Sequence, residues 1–82
     1  MSETDEQIVS RMRWKCRRGM LELDFLLEKF INEKYLGLNS NQRIAFERLL
    51  EEQDPILLRW FMEQETPEDT DLAAMVQLII EK

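Results

Sequence analysis

Chain breakers are scarce in this sequence, and that scarcity is the strongest constraint on its fold. The 82 residues include two glycines and two prolines, and no segment alternates apolar with polar residues for long, so the signals of strands and hairpins are missing. Apolar residues instead recur at helical spacing, most clearly in the stripe Met20, Leu23, Leu26, Leu27, Phe30 and Ile31. We therefore predict an all-α fold, a small five-helix bundle.

The apolar periodicity places the five helices along the chain. The first covers residues 6–17, the second runs from residue 20 to a loop at residues 35–40, the third ends near residue 52, and the fourth covers residues 55–63. The fifth follows Pro67, with a late start at Thr70 as an alternative. Ile44, Ala45 and Leu49 are expected to face inward from the third helix, with Phe46 as a further candidate.

Start signals support three of these helices. Asn39 with Gln42 three residues later is a capping box for the third helix. Asp54 before Pro55 predicts a capping carboxylate followed by proline at the first helical position, and Thr66 before Pro67 repeats the device. Short connections between such helices favour a single compact bundle.

The length of the chain predicts one domain over residues 1–82, with residues 1–5 as a flexible N-terminus. Cys16 is the single cysteine and cannot form an internal disulfide, so a reducing compartment is expected and the predicted location is cytoplasmic. The longest apolar runs span a few residues, against the ~20 that a membrane-spanning helix needs, so no membrane insertion is predicted.

Charge is distributed unevenly. The chain has a net charge of −6, yet residues 1–18 hold five basic and three acidic residues, and residues 19–82 hold six basic and fourteen acidic ones. A nucleic-acid site would have to use the basic residues within positions 11–18 together with Trp14. Because the acidic remainder would repel a polyanion, we predict no nucleic-acid binding and keep that function as a weaker alternative.

The residues that most catalytic and metal sites require are absent or isolated. The sequence has no histidine and one cysteine, and its two glycines stand alone, which excludes Cys/His metal sites, histidine-activated nucleophiles and phosphate-binding loops. The basic residues near Cys16 could lower its thiol pKa. The favoured interpretation is that Cys16 is a small buried residue on the apolar stripe Ile8, Met12 and Cys16. We therefore predict that the chain is not an enzyme.

Residues 17–24 remain as a candidate binding surface, because the densest positive charge meets the first glycine there. Tryptophan and arginine dominate interface energetics, and Gly19, which lacks a Cβ, would allow a partner backbone to approach closely. The alternative is structural: Arg18 and Glu22 lie four residues apart and could simply pair with each other, for about 0.2–0.5 kcal/mol. The residues alone leave both interpretations open.

The R-G-x-x-E motif in Arg18-Gly19-Met20-Leu21-Glu22 resembles that of the bacterial succinate dehydrogenase assembly factors of the SdhE type. The resemblance runs from about residue 8 to residue 80. It includes Trp14-Lys15-Cys16-Arg17, Leu23-Asp24, Leu49-Leu50-Glu51, Asp54-Pro55, Trp60-Phe61-Met62, Pro67 and Met75-Val76-Gln77-Leu78-Ile79.

The resemblance implies a five-helix bundle that binds the flavoprotein subunit of succinate dehydrogenase or fumarate reductase, and we predict separately that the chain is a monomer. Such a factor promotes covalent attachment of FAD to a histidine of that partner and holds no cofactor stably itself. The implied partner-binding residues are Arg18, Gly19 and Glu22 from the motif, with Arg17, Trp14 and Asp24 as support. Some members are described as antitoxins that act on cytoskeletal proteins, and an antitoxin-like binding module is therefore the alternative function.

Overall fold

A computed structural model describes residues 4–81 and confirms the all-α prediction. The helices are α1 (Asp5–Cys16), α2 (Leu21–Lys34), α3 (Ser40–Leu50), α4 (Asp54–Phe61) and α5 (Thr70–Ile80), with a 3₁₀ turn at Tyr35–Gly37 between α2 and α3. The predicted flexible N-terminus falls partly on residues 1–3, outside the described residues. Thr4 and Asp5 are the N-cap and the first residue of α1.

Two capping boxes set the starts of α1 and α3. At α3 the predicted box is confirmed: Gln42 N donates to Asn39 Oδ1 at 2.8 Å, and Asn39 N donates to Gln42 Oε1 at 2.9 Å. The box at α1 was not predicted. There Gln7 N donates to Thr4 Oγ1 at 3.2 Å, and Thr4 N donates to Gln7 Oε1 at 3.0 Å, which begins the helix one residue early.

The other two capping predictions were wrong. Asp54 is the first residue of α4 rather than its N-cap, because Gln53 takes the extended cap conformation and the Asp54 carboxylate accepts a hydrogen bond from Arg18 instead. Thr66 does not cap α5. The helix starts late, at Thr70, because Asp69 Oδ1 accepts the backbone N–H groups of Asp71 and Leu72 at 2.8 and 3.2 Å.

The core is formed where α2 packs against α1, α4 and α5, and α3 packs on α5. Its most deeply buried side chains come from all five helices: Met12, Leu23, Leu27, Ile31, Phe46, Leu49, Leu57 and Met75. Phe46 lies at its centre, with ring centroids 5.3 Å from Phe30 and 5.8 Å from Tyr35. Aromatic pairs of this kind add about 0.5–1.5 kcal/mol each beyond area burial.

The predicted inward face of α3 is confirmed at Ala45, Phe46 and Leu49 and was wrong at Ile44. Ile44 was expected inside but is 56% exposed, whereas Phe46 is fully buried. The buried side chains of α3 are Ala45, Phe46, Leu49 and Leu50, and position 44 precedes that stripe by one residue, or about 100° around the helix. In α4, Trp60 is buried in the core and Met62 lies just past the helix end, 60% exposed.

Candidate functional site

The candidate site is the corner between α1 and α2, residues 17–20. Helix α1 ends at Cys16, Arg17 is extended, and Gly19 has a φ of +80°, in the left-handed region that favours glycine. A Cβ built on Gly19 would have no neighbouring atom within 4 Å. The backbone conformation therefore requires the glycine at this position, and the space around it stays open toward solvent.

Asp24 holds the corner from the α2 side. Its Oδ1 accepts the Arg18 N–H at 2.9 Å, and its Oδ2 accepts the Gly19 N–H at 3.2 Å. Asp24 is the fourth residue of α2, so one carboxylate on a rigid helix fixes two successive peptide groups of the turn. Hydrogen bonds to a charged acceptor are stronger than neutral ones, which makes this an effective clamp.

Arg18 holds the corner from the opposite side. Its Nη1 donates to Asp54 Oδ1 at 2.9 Å and to the Glu52 carbonyl at 3.3 Å, and its Nη2 donates to the Leu50 carbonyl. The guanidinium thus satisfies carbonyls at the C-terminal end of α3, where the helix itself provides no donors. The Arg18 side chain is 15% exposed.

Arg18 does not pair with Glu22, so the intrahelical ion pair considered as an alternative is not what forms. Arg18 precedes the first residue of α2, and its side chain extends toward α3 and α4. Glu22 is the second residue of α2, is exposed, and makes no side-chain hydrogen bond or ion pair within residues 4–81. Its carboxylate is available to a partner.

The six predicted site residues therefore divide into two groups. Gly19, Glu22, Arg17 and Trp14 are exposed around the corner, and the Trp14 side chain is 74% exposed. Arg18 and Asp24 are half-buried and form its internal supports. Sequence reasoning missed Asp54 as the partner of Arg18, and it assigned no role to two exposed apolar residues, Leu21 within the motif and Phe25 three residues after it.

Cys16 closes α1 beneath this corner and is buried. Burial raises the pKa of its thiol from 9.0 to about 12, and the nearby Arg18 and Lys15 charges lower the pKa by less than burial raises it. The interpretation of Cys16 as a buried core residue is confirmed. The thiol stays protonated and unreactive near neutral pH.

The basic residues of positions 11–18 do not form a single positive face. Lys15 Nζ lies 3.0 Å from Glu47 Oε1, Arg13 Nη1 donates to Asn32 Oδ1 at 3.0 Å, and Arg18 is paired with Asp54. These contacts direct the charges toward different helices. Within residues 4–81, no helix could cross a membrane and no cluster of three or more potential ligands could hold a metal ion.

Comparison with known proteins gives a consistent family assignment. Residues 10–82 match the family model described as flavinator of succinate dehydrogenase. The chain is 53% identical over 73 residues to the FAD assembly factor SdhE of Colwellia psychrerythraea, covering 89% of this chain and 80% of that protein. It is 45% identical over 78 residues to the protein of the same name from Pseudomonas aeruginosa, covering 95% and 93%.

A solved structure shares the fold. The solution structure of a UPF0350 protein is 42% identical in sequence, covers 96% of this chain and 83% of its own, and superimposes with a TM-score of 0.73. The family model begins within α1, at residue 10, and covers the other four helices. The chain belongs to the family of flavinators of succinate dehydrogenase.

Proposed function

We propose that this chain is an FAD assembly factor that binds the flavoprotein subunit of succinate dehydrogenase. Binding promotes covalent attachment of FAD to a histidine of that subunit, and we extend the proposal to the flavoprotein of fumarate reductase. The names of the family and of the relatives support this function and support neither an antitoxin nor a nucleic-acid-binding role. The observation on which it rests in this chain is the rigid corner that exposes Gly19 and Glu22.

The proposed action is positioning rather than catalysis by this chain. The sequence has no histidine, and its one thiol is buried with a raised pKa, so the acid-base and nucleophilic chemistry comes from the partner and its FAD. A helper that holds the flavoprotein so that FAD and the acceptor histidine are aligned can lower the barrier by several kcal/mol without a catalytic residue. FAD is therefore the partner's cofactor, and no residue of this chain is assigned to hold it.

The six site residues take two proposed roles. Glu22, Arg17 and Trp14 contact the flavoprotein subunit around Gly19, whose open side admits the partner backbone. Arg18 and Asp24 act through the corner, which they hold in the conformation that presents those groups. The proposal includes a monomeric factor that works in the cytoplasm, in keeping with a single, buried cysteine.

The test is to delete the gene and to measure covalently bound flavin in the flavoprotein subunit by fluorescence of the denatured protein. We expect flavin attachment to fall sharply and to return when the wild-type gene is restored. Unchanged flavin content in a strain with no second assembly factor would overturn the proposal.

A matched pair of variants then separates function from folding. Glu22→Gln and Glu6→Gln each remove one carboxylate from the second position of a helix, α2 and α1 respectively, and both residues are exposed. Their effects on stability should match, because each loses the same favourable interaction with a helix dipole. Glu22→Gln alone should fail to restore flavin attachment. Equal complementation by both variants would remove Glu22 from the site.

A further inference from the structure

Exposed apolar side chains are concentrated beside the corner. Six large apolar residues are exposed within residues 4–81, and the three most exposed are Leu21 at 82%, Trp14 at 74% and Phe25 at 65%. The others are scattered: Leu36 lies in the 3₁₀ turn, Ile44 in α3 and Met62 just past the end of α4. Single exposed apolar residues are ordinary on protein surfaces, but a local concentration of them marks an interaction site.

Leu21 and Phe25 form one continuous feature. They lie four residues apart in α2 and so share one face of the helix, roughly opposite the buried Leu23 and Leu27. Both line a cavity of about 260 Å³ at the junction of α1 and α2, beside the motif. Its other walls are Arg13, Cys16, Arg17, Asp24 and Glu28.

One cation at this cavity is available for a partner. Arg13 donates to Asn32, and Asp24 is occupied by two backbone N–H groups. Arg17 is exposed, and its guanidinium has no hydrogen bond or ion pair with any residue that the structure describes. The cavity thus offers two apolar side chains and the unpaired guanidinium of Arg17, with the exposed Glu28 carboxylate also on its lining, next in sequence to Gly19 and Glu22.

We propose, building on the function proposed above, that Leu21 and Phe25 are the apolar anchors by which this chain docks on the flavoprotein subunit. The occupant is a segment of that subunit whose apolar side chain enters the cavity between α1 and α2 and whose carboxylate pairs with Arg17. The unpaired Arg17 guanidinium favours an acid-bearing segment that approaches from the Arg17 side of the cavity, away from Glu28, and continuity with the motif places that segment on the same partner. A second copy of this chain is a poorer occupant, since two molecules of charge −6 repel each other.

Binding of the purified flavoprotein subunit to full-length variants, measured by calorimetry, tests the anchors. Leu21→Ser and Phe25→Ser should each weaken binding at least about tenfold, as truncation of a desolvated anchor does. Ile44→Ser is the matched control, because Ile44 is equally apolar and 56% exposed on α3. It should bind like the wild type. Circular dichroism should show all three variants folded, since none of these side chains belongs to the core.

A charge reversal tests the partner's chemistry. Arg17→Glu should weaken binding more than Arg17→Ala, because it places a carboxylate against a carboxylate. Arg59→Glu, which reverses an exposed charge on α4, should leave affinity unchanged. Equal affinity of Arg17→Glu and wild type would overturn the assignment of an acid-bearing segment.

The outcomes distinguish this inference from the function on which it rests. If the wild-type chain neither binds the flavoprotein subunit nor supports its flavin attachment, both proposals fall. If the wild type does both and Leu21→Ser and Phe25→Ser do so equally well, only the anchor assignment falls. A wild-type dimer by light scattering that Phe25→Ser converts to a monomer would assign the surface to a second copy and would also overturn it.

Discussion

The side chains of Arg18 and Asp54 meet across 36 positions of sequence, with Arg18 Nη1 2.9 Å from Asp54 Oδ1. This pair ties the α1–α2 corner to the start of α4, while further donors of the same guanidinium reach carbonyls at the end of α3. Arg18, the first residue of the R-G-x-x-E motif, is therefore half-buried and hydrogen-bonded to other parts of the fold. Glu22, the last residue of the motif, is exposed to solvent.

Removal of Arg18 should destabilise the protein. We expect Arg18→Ala to lower the free energy of unfolding by about 2–3 kcal/mol, because a half-buried, charge-assisted hydrogen bond is lost and two part-buried carbonyls lose a donor. Urea denaturation measures the change. Arg59→Ala, which removes an exposed pair with Glu65 at 3.5 Å, should cost less than about 0.5 kcal/mol. An Arg18→Ala protein of wild-type stability would argue that Arg18 does not support the corner.

Asp24 should contribute separately from Arg18's side chain, since it binds backbone N–H groups. Asp24→Ala is expected to cost about 1–2 kcal/mol, as loss of a helix cap does, and to accelerate hydrogen exchange of the Arg18 and Gly19 amides. Glu28→Ala, an exposed change on the same helix, should leave both amides as protected as in the wild type. NMR-detected exchange makes the comparison, and unchanged amide protection in Asp24→Ala would contradict the clamp.

The two glycines should respond in opposite directions to alanine. Gly19→Ala should cost about 1–2 kcal/mol, because its φ of +80° disfavours any Cβ even though no atom would clash with one. Gly37 has no positive φ and equally open surroundings, so Gly37→Ala should be neutral or up to about 1 kcal/mol stabilising. Thermal unfolding of both variants shows whether each substitution lowers or raises the stability of the protein. A neutral Gly19→Ala would show that the corner is free to change its backbone conformation.

Cys16 should make stability fall at alkaline pH. Because burial raises the pKa of the native thiol from 9.0 to about 12, the unfolded chain loses this proton first as pH rises. The unfolded state then binds fewer protons, so stability declines between about pH 9 and 12, with a slope of at most about 1.4 kcal/mol per pH unit from this group.

The Cys16→Ala variant isolates that contribution. Burial also raises the pKa of Tyr35, which adds a decline in the same direction to both proteins. The difference in slope between wild type and Cys16→Ala, from urea denaturation at several pH values, therefore belongs to the thiol. Parallel pH profiles would contradict a protonated, buried Cys16.

Local contacts were predictable from the sequence, and distant ones were not. The Asn39–Gln42 box joins residues three positions apart, and the α2 stripe follows from spacing alone, so both were predicted correctly. The partner of Arg18 was missed because a nearby Glu22 offered a local alternative, whereas Asp54 becomes a neighbour only after α3 and α4 pack. Leu21 and Phe25 lie outside the apolar stripe predicted for α2, but they were not considered as contacts because single exposed apolar residues are ordinary on protein surfaces.

The long reach of the Arg18 contact also sets an order of events during synthesis. Residues 14–25 emerge from the ribosome well before residues 50–54, whose carbonyls and carboxylate hold the Arg18 guanidinium in place. Since chains are made from the N-terminus at roughly 5–20 residues per second, Asp24 can hold the corner early, but the Arg18 side chain has no partner until α4 begins to appear. The corner and the proposed docking surface beside it are therefore complete only after residue 54 has emerged from the ribosome.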